Sequence, residues 1–292
     1  MILLFGAGGQ LGQELTALAG ARGVPLTGLS RHEADLADPA AVTQAIRSSA
    51  PRLVVNAGAY TKVDRAESES EEAFRTNATG PAVLARACAV AGIPLVHVST
   101  DYVFDGSKTG PYRESDPIAP IGVYGRSKAA GEAAVRDHWD RHLILRTAWV
   151  YGVYGANFLK TMLRLAGERD ELRVVADQRG CPTSTADLAR AILQVARRID
   201  EGQAAFGTYH VAGQGVTTWH GFASRIIEAQ QPFTGRRPAV TAITTRDYPT
   251  PAQRPANSEL DSSLFAQAFG FTALPWEQAT DETVQALLGN RS

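Results

Sequence analysis

The 292-residue chain contains little cysteine, and this excludes two classes of small scaffold. Its two cysteines, Cys88 and Cys181, lie far apart in the sequence. A disulfide framework or a structural zinc site needs several cysteines or histidines at short, regular spacings. We therefore interpret both cysteines as reduced thiols within the core.

The chain also lacks a surplus of charge and a long apolar run. Lysine and arginine number 29 against 30 acidic residues, for a net charge of −1. Because nucleic-acid binders usually carry a basic face, we expect no nucleic-acid partner. Apolar residues 1–5 end at Gly6, too short for a signal peptide, and no segment reaches transmembrane length. The sequence therefore predicts a cytoplasmic protein without a membrane partner.

The first half alternates short apolar runs with longer helical patterns. The predicted strands cover residues 2–5, 24–29, 52–56, 95–99 and 143–146. The predicted helices cover residues 10–19, 40–48, 67–91 and 127–137. This alternation is typical of α/β proteins with a parallel sheet covered on both faces. We predict a doubly wound parallel sheet of the Rossmann type.

The pattern loosens after about residue 151. Helical patterns recur at residues 157–167 and 187–198, while residues 231–258 are rich in Pro, Thr and Arg and have no long periodic element. We predict a dinucleotide-binding domain over residues 1–150 and a smaller, mainly substrate-binding domain over residues 151–292. The two are expected to interleave, with later segments returning to the sheet.

A glycine-rich turn follows the first predicted strand. Gly6, Gly9 and Gly12 form a G-x-x-G-x-x-G pattern that opens the first predicted helix. Glycines permit a tight turn and close approach of a pyrophosphate, and the helix N-terminus offers unpaired N–H groups to it. The pattern predicts dinucleotide binding.

The end of the second predicted strand bears on the choice of cofactor. NAD-selective sites place an acidic residue there for the ribose 2′-hydroxyl. Here Ser30 and Arg31 occupy this place, and an arginine fork suits a 2′-phosphate. NADPH is favoured, NADH stays possible, and a solvated surface role for Arg31 is the alternative. Asp35 and Leu36, a little further on, are placed to contact the adenine.

A tyrosine and a lysine four residues apart form the candidate catalytic pair. Tyr124 and Lys128 would share one face of a helix, where the ammonium group lowers the pKa of the phenol towards the working range of a general acid. Thr100 follows a predicted strand, at the sheet edge where ligands bind in such folds. Its hydroxyl either bonds a substrate carbonyl beside Tyr124 or caps the following loop.

Together these features resemble the extended short-chain dehydrogenase/reductase superfamily, and several segments are similar to the dTDP-4-dehydrorhamnose reductase family. Those segments occur in the family's order over nearly the whole chain: Ser99-Thr100-Asp101-Tyr102-Val103-Phe104-Asp105-Gly106, Arg146-Thr147-Ala148-Trp149-Val150-Tyr151, Asn157-Phe158, Gly180-Cys181-Pro182-Thr183 and Arg254-Pro255-Ala256-Asn257-Ser258. The resemblance implies reduction of the 4-keto group of dTDP-4-dehydro-L-rhamnose to dTDP-L-rhamnose, the last step of dTDP-rhamnose biosynthesis.

The resemblance also implies a set of site residues. Tyr124 would be the proton donor, Lys128 its partner and a ligand of the nicotinamide ribose, and Thr100 the third catalytic member. The cofactor would contact Gly6, Gly9, Gln10, Leu11, Gly12, Ser30, Arg31, Asp35, Leu36, Ala59, Tyr60, Thr61, Tyr124 and Lys128. The nucleotide sugar would contact Thr100, Asp101, Trp149, Asn157 and Arg254, the last through its diphosphate.

Several properties stay open at this point. Some family members bind Mg²⁺ between two subunits; Glu14 matches one position, and we assign no metal. A homodimer is possible. Alternative functions are a reductase of another nucleotide-linked 4-keto-6-deoxy sugar, an epimerase or dehydratase with tightly bound NAD, and a non-catalytic NADP-binding subunit resembling the regulatory partner of methionine adenosyltransferase.

Overall fold

The computed structural model of the chain describes residues 1–289. In chain order its strands are β1 (Ile2–Phe5), β2 (Leu26–Leu29), β3 (Leu53–Asn56), β4 (Leu95–Thr100), β5 (His142–Thr147), β6 (Val150–Tyr151), β7 (Glu171–Val175), β8 (Arg179–Gly180), β9 (Thr183–Ser184), β10 (Gly207–His210), β11 (Thr217–Thr218), β12 (Ala239–Ile243) and β13 (Asn257–Ser258). The strands predicted in the first half correspond to β1–β5.

The helices connect these strands. They are α1 (Gln10–Ala21), α2 (Pro39–Ser49), α3 (Val63–Ala66), α4 (Ser70–Phe74), α5 (Gly80–Ala91), α6 (Val123–His138), α7 (Phe158–Glu168), α8 (Thr185–Asp200), α9 (Trp219–Thr234), α10 (Ser263–Phe269) and α11 (Trp276–Leu288). Over residues 1–289, no helix combines the length and apolar character that a membrane crossing requires.

One six-stranded sheet organises the molecule. Its order is β2-β1-β3-β4-β5-β10, and every neighbouring pair is parallel. The chain first moves from β1 outwards to β2 and then continues from β3 on the other side of β1. This reversal makes the edge between β1 and β3 a topological switch point, where ligands bind in such sheets. The predicted doubly wound α/β fold is confirmed.

Apolar side chains cover both faces of the sheet, because successive side chains of a strand point to opposite faces. Ile2 and Leu4 belong to a core with α1, α8 and α10. Leu3 and Phe5 belong to a second core with α2 and α5. This explains why the central strands read as continuous apolar runs rather than alternating ones.

The helix predicted over residues 67–91 is interrupted. A π-helical turn, Arg75–Thr79, separates α4 from α5. Pro81 stands at the start of α5 and cannot donate a backbone hydrogen bond, which weakens the regular ladder at this point. The predicted stop is correct, since Gly92 ends α5 in the left-handed conformation, with φ of 68°. The π-helical turn contains Asn77, whose side chain contacts residues of the site.

The second half forms a smaller lobe beside the carboxyl ends of the strands. Its core contains Leu159 of α7, Phe222 of α9 and Trp276 of α11. Three elements, α8, β10 and α10, return to the main sheet, where β10 pairs with β5. The division at residue 150 stays a prediction.

Residues 231–258 are more regular than their composition indicates. Helix α9 continues to Thr234 and contains Pro232, and β12 pairs with β7 in parallel. Further on, β13 pairs with β8, and the Asn257 amide donates to the carbonyl oxygens of Lys108 (2.8 Å) and Gly110 (2.9 Å). Pairing with distant segments orders this stretch, so local periodicity could not predict it.

Candidate active site

The predicted site residues meet in one cleft between the sheet edge and the smaller lobe. Its volume is about 1600 Å³, larger than the roughly 300–1,000 Å³ of a pocket for one small ligand. The cleft is lined by Gly6, Gly9, Gln10, Leu11, Ser30, Arg31, Asp35, Leu36, Ala59, Tyr60, Thr61, Thr100, Asp101, Tyr124, Lys128, Trp149 and Arg254. Two predicted residues, Gly12 and Asn157, lie outside this lining.

The glycine turn lies at the switch point of the sheet. Gly6 has a φ of 86°, and a Cβ there would lie 2.4 Å from the backbone nitrogen of Gly58, in the turn after β3. A Cβ on Gly12 would lie 2.2 Å from the Gly6 carbonyl oxygen. Both positions therefore require glycine. Gly12 acts by packing α1 on the turn, which explains why it does not line the cleft.

The N-terminus of α1 fits the pyrophosphate of a dinucleotide. Gly9 caps the helix without a side-chain hydrogen bond, and the first turn contains no acidic residue. The space beside Gly8 is open. The first N–H groups of the helix therefore face the cleft without a competing carboxylate, as anion binding at a helix N-terminus requires.

The part of the cleft formed by Ser30, Arg31 and Asp35 carries charges of both signs. Arg31 is exposed and forms an ion pair with Glu72 (2.6 Å). Arg75 pairs with Asp35 and also approaches Glu72. The backbone nitrogen of Ser30 donates to Glu33 (2.7 Å), and this bond lowers the pKa of that carboxyl. A 2′-phosphate would have to compete with Glu72 for Arg31.

Asn77 joins the cofactor side of the cleft to the catalytic helix. Its side chain accepts from the backbone nitrogen of Tyr60 (2.8 Å) and donates to the Tyr60 carbonyl (3.0 Å) and to the Ser127 hydroxyl (3.0 Å). Ser127 lies between Tyr124 and Lys128 on α6. Sequence reasoning missed Asn77, because the π-helical turn that places it has no local signature.

Tyr124 and Lys128 lie one turn apart at the start of α6, and both face the cleft. The helix begins at Val123, whose backbone nitrogen donates to Glu67 (2.8 Å). The Lys128 ammonium is buried and donates to the Val98 carbonyl of β4 (2.7 Å). The sequence prediction that the pair shares one helix face is confirmed by this geometry.

The electrostatics of the pair differ from the expectation. Burial raises the pKa of Tyr124, the charge of Asp101 raises it further, and the nearby Thr100 hydroxyl lowers it. Burial lowers the pKa of Lys128 to about 8, against the opposing charge of Glu132. The expected net fall in the pKa of Tyr124 is not found in this structure, since removal from water dominates. Tyr124 consequently keeps its proton at neutral pH, as a proton donor must.

Thr100 and Asp101 lie beside Tyr124 at the end of β4. The Thr100 hydroxyl donates to Asp101 (2.8 Å) and accepts from the backbone nitrogen of Tyr102 (3.2 Å). Thr100 therefore caps the following turn and also faces the cleft, so its two interpretations are compatible. Burial raises the pKa of Asp101 to about 6, although bonds with Ser258 and Thr100 lower it. The other Asp101 oxygen has no partner among residues 1–289.

An aromatic wall closes the cleft on the side of the smaller lobe. Trp149 adopts a φ of 48°, rare for a non-glycine residue, and stacks on Trp219 with ring centroids 3.6 Å apart. Gly180 makes room for the Trp149 indole, since a Cβ there would lie 2.5 Å from the ring. The Trp219 indole nitrogen donates to Gln178 (3.2 Å). Trp219 and Gln178 also line the cleft but carry no motif that sequence reasoning could use.

The two remaining predicted substrate ligands have protein partners. Arg254 lines the cleft and pairs with Asp64 (2.8 Å). The Asn157 amide donates to Gln10 (2.9 Å) and to the Gly152 carbonyl (2.8 Å), while its oxygen caps α7. These contacts give Asn157 a structural role between the lobes. Its role as a substrate ligand stays a prediction.

The described residues do not form a cluster of side chains suited to a metal ion. Within residues 1–289, no three His, Cys, Asp or Glu side chains are grouped closely enough to hold an ion. The carboxylate of Glu14 accepts from the Thr185 hydroxyl (2.8 Å).

A parallel switch-point sheet, a glycine turn beside it and a helical tyrosine–lysine pair occur together in the short-chain dehydrogenases/reductases, which use a nicotinamide cofactor. The lobe over the cleft places this chain in the extended branch of that class. A family model described as "RmlD substrate binding domain" matches residues 1–288. The chain belongs to this family, that of the dTDP-4-dehydrorhamnose reductases.

Three comparisons support this assignment. A dTDP-4-dehydrorhamnose reductase of Sinorhizobium fredii is 47% identical over 97% of this chain and 96% of its own length. The crystal structure of such a reductase from Clostridium acetobutylicum is 38% identical with a TM-score of 0.91, covering 98% of this chain and 99% of that one. A Bacillus anthracis reductase in complex with NADP is 35% identical with a TM-score of 0.89, covering 97% of both chains.

Proposed function

We propose that the protein reduces the 4-keto group of dTDP-4-dehydro-L-rhamnose with NADPH and releases dTDP-L-rhamnose, the last step of dTDP-rhamnose biosynthesis. The observation that carries this proposal is the position of Tyr124, which lies in a cleft large enough for two ligands, one helical turn from the buried Lys128 and beside the end of β4. The named relatives support the substrate, and the NADP complex of the Bacillus anthracis protein supports the cofactor.

The residues of this chain supply the proton that the reduction requires. When bound, the reduced nicotinamide supplies a hydride to the carbonyl carbon. Tyr124 gives its proton to the carbonyl oxygen, so that hydride and proton together convert the ketone to an alcohol. The positive charge of Lys128 stabilises the phenolate that remains. Thr100 lies beside Tyr124, and its hydroxyl can donate to the same oxygen as negative charge develops there once its hydrogen turns away from Asp101.

The smaller lobe supplies groups for a nucleotide sugar. The stacked pair of Trp149 and Trp219 offers an apolar face to a sugar or base. The Arg254 guanidinium lines the cleft and pairs with Asp64 through one of its nitrogens. This leaves capacity for a diphosphate oxygen.

A substrate panel tests the proposed function against its alternatives. We expect the purified protein with NADPH to convert the dTDP-linked 4-keto-6-deoxy sugar to dTDP-L-rhamnose, identified by chromatography and NMR. Faster turnover of another nucleotide sugar would assign the related reductase. NAD that stays tightly bound through purification would indicate an epimerase or dehydratase. Inactivity on all sugars, together with co-purification of a larger subunit, would indicate the regulatory role.

Arg31→Ala tests the preference for NADPH. We expect the Michaelis constant for NADPH to rise roughly tenfold, with that for NADH nearly unchanged. The effect is limited because Arg31 is exposed and must leave Glu72 to bind a phosphate. Steady-state kinetics with both cofactors measures it, and Arg47→Ala on α2, outside the cleft, is the control. Equal losses for NADPH and NADH would show that Arg31 does not read the 2′-phosphate.

Arg254→Ala tests capture of the diphosphate. A charge-assisted hydrogen bond is worth about 1.5–3 kcal/mol, so we expect the Michaelis constant for the nucleotide sugar to rise by one to two powers of ten. The constant for the cofactor should not change. Arg254→Lys should recover part of the loss, because a point charge replaces a planar fork.

Asp64→Asn is the matched control for this prediction. If Arg254 acts on the diphosphate, removing the charge of its protein partner leaves substrate affinity intact or improves it. If Arg254 only holds Asp64 in place, Asp64→Asn reproduces the defect of Arg254→Ala, and the diphosphate is bound elsewhere.

The predictions of a cytoplasmic location and a homodimer also belong to this proposal. The dimer can be tested by light scattering on the eluting protein. Fractionation of the native cells, followed by the activity assay, tests the location.

A further inference from the structure

A buried ionic cluster lies under the catalytic pair. Glu132, one turn after Lys128 on α6, is fully buried. Its carboxylate accepts from the Ser99 hydroxyl (2.6 Å) and from two nitrogens of Arg146, Nε (2.8 Å) and Nη2 (2.7 Å). Ser99 and Arg146 are direct partners across β4 and β5. Glu132 therefore connects α6 to two neighbouring strands that end at the cleft.

Two contacts attach α6 to consecutive residues of β4. Lys128 donates to the carbonyl of Val98, and Glu132 accepts from the side chain of Ser99. The next residue is Thr100, which lies beside Tyr124. Any rotation of α6 that moved Tyr124 from Thr100 would have to break at least one of these buried bonds. The cluster is thus a two-point attachment of the catalytic helix to the strand that ends at the reacting groups.

We propose that Glu132 is a positioning residue for the reaction, which keeps the buried Lys128 positively charged and holds α6 against the end of β4. The link to catalysis rests on the proposed function, whereas the effect on Lys128 does not.

The electrostatic half of this proposal follows from the groups around Lys128. Burial disfavours its charge and lowers its pKa to about 8, and Glu132 is the charge that opposes this fall. Of the other elements packed against α6, β4 contributes His97, whose pKa burial lowers so far that it stays neutral. The turn after β4 contributes Asp101, and β5 contributes Arg146, which is already paired with Glu132.

The cluster also has a structural function, and a test must separate the two. Arg146 is nearly fully buried and lies over the Phe104 ring at 5.2 Å, and the half-exposed Arg136 also reaches Glu132 (3.3 Å). Removing Glu132 alone leaves Arg146 as an uncompensated buried charge, which is strongly destabilising. Loss of activity alone would therefore not identify the role of Glu132.

The pH titration of Lys128 tests directly whether Glu132 stabilises the charge of that lysine. The chain has only four lysines, Lys62, Lys108, Lys128 and Lys160, so carbon-13 lysine labelling yields few side-chain signals. Comparison with Lys128→Met assigns the signal of interest. We expect Glu132→Gln to lower the midpoint of Lys128 by about one pH unit or more, because an opposite charge nearby shifts a pKa by about 1–3 units.

Two variants serve as controls. Glu132→Asp keeps the charge and should keep the midpoint close to that of the wild type. Glu282→Gln removes a carboxylate from α11, far from the cluster in the chain, and should leave the midpoint unchanged. If Glu132→Gln does not fold, the double variant Glu132→Gln/Arg146→Met avoids the uncompensated Arg146 charge, and its midpoint should lie below that of Arg146→Met, which retains the charge of Glu132.

The pH dependence of kcat should follow the protonation of Lys128. The alkaline limb of kcat for Glu132→Gln should move to lower pH by the same amount as the Lys128 midpoint, while Glu132→Asp retains the wild-type limb. A folded variant without Glu132 whose Lys128 midpoint does not move would overturn the inference. Because the titration uses no substrate, a wild-type protein that fails to reduce the sugar would refute the proposed function, while a shifted midpoint in Glu132→Gln would still establish the effect of Glu132 on Lys128.

Discussion

Tyr124→Phe is expected to lower kcat by about 10²–10⁴-fold, the usual contribution of a general acid. In this structure the substitution should leave the packing of the ring unchanged. The ring of Tyr124 packs edge-on against Tyr102, with centroids 5.4 Å apart, and phenylalanine preserves that contact. Only the hydroxyl group, with its proton, is lost. Circular dichroism and NADPH titration should therefore show an intact fold and near-normal cofactor affinity, while steady-state kinetics shows the loss of turnover.

Tyr209→Phe is the matched control for the loss of a hydroxyl. The Tyr209 hydroxyl donates to the Ala205 carbonyl (2.9 Å), and the residue does not line the cleft. Its removal should leave kcat nearly unchanged. A Tyr124→Phe protein that kept more than about a tenth of wild-type turnover would show that another group donates the proton.

Gly6→Ala is expected to destabilise the protein by about 2–5 kcal/mol and to weaken NADPH binding by at least about tenfold. Two costs combine: about 1–2 kcal/mol for a side chain in the left-handed region and about 1–3 kcal/mol for overpacking. The overpacking is severe because the new Cβ would meet backbone atoms of Gly58, 2.4 Å and 2.6 Å away, and backbone cannot rotate aside. Separating β1 from the turn after β3 would distort the anion site at α1.

Thermal unfolding and NADPH titration measure the two effects, and Gly20→Ala controls for the substitution itself. Gly20 lies in α1 with open space around it, so alanine there should be neutral or stabilise by roughly 0.5–1 kcal/mol. If Gly6→Ala bound NADPH as tightly as the wild type, the close approach of the two turns would not be needed for the cofactor.

Local signals in the sequence were sufficient for the framework of the site. The apolar runs predicted β1, β3, β4 and β5 because a strand buried on both faces needs continuous apolar residues, and a shorter run predicted the partly exposed edge strand β2. The glycine spacing predicted the turn at the switch point because only glycine tolerates the close backbone contacts there. The spacing of Tyr124 and Lys128 predicted a common helix face, since residues four apart are neighbours on any helix.

The partners of the predicted residues were beyond the reach of local patterns. Arg254 pairs with Asp64 across 190 positions in the chain, and Asn77 reaches Ser127 across 50. Trp219 joins Trp149 only because the smaller lobe folds back over the sheet. Contacts of this kind depend on tertiary packing, and no pattern within one element predicts them.

The protonation states of the site show most clearly which properties the sequence determined and which the tertiary structure decided. The sequence by itself predicted several of the ionisable groups that meet at the cleft, and it placed Tyr124 and Lys128 on one helix face. It led to the wrong direction for the Tyr124 pKa, because an adjacent cation was the only influence that spacing could reveal. Tertiary structure decided the direction by removing Tyr124 and Lys128 from water and by placing Asp101 beside one and Glu132 near the other. Burial and long-range charge depend on the whole fold, and here they outweigh the local pair.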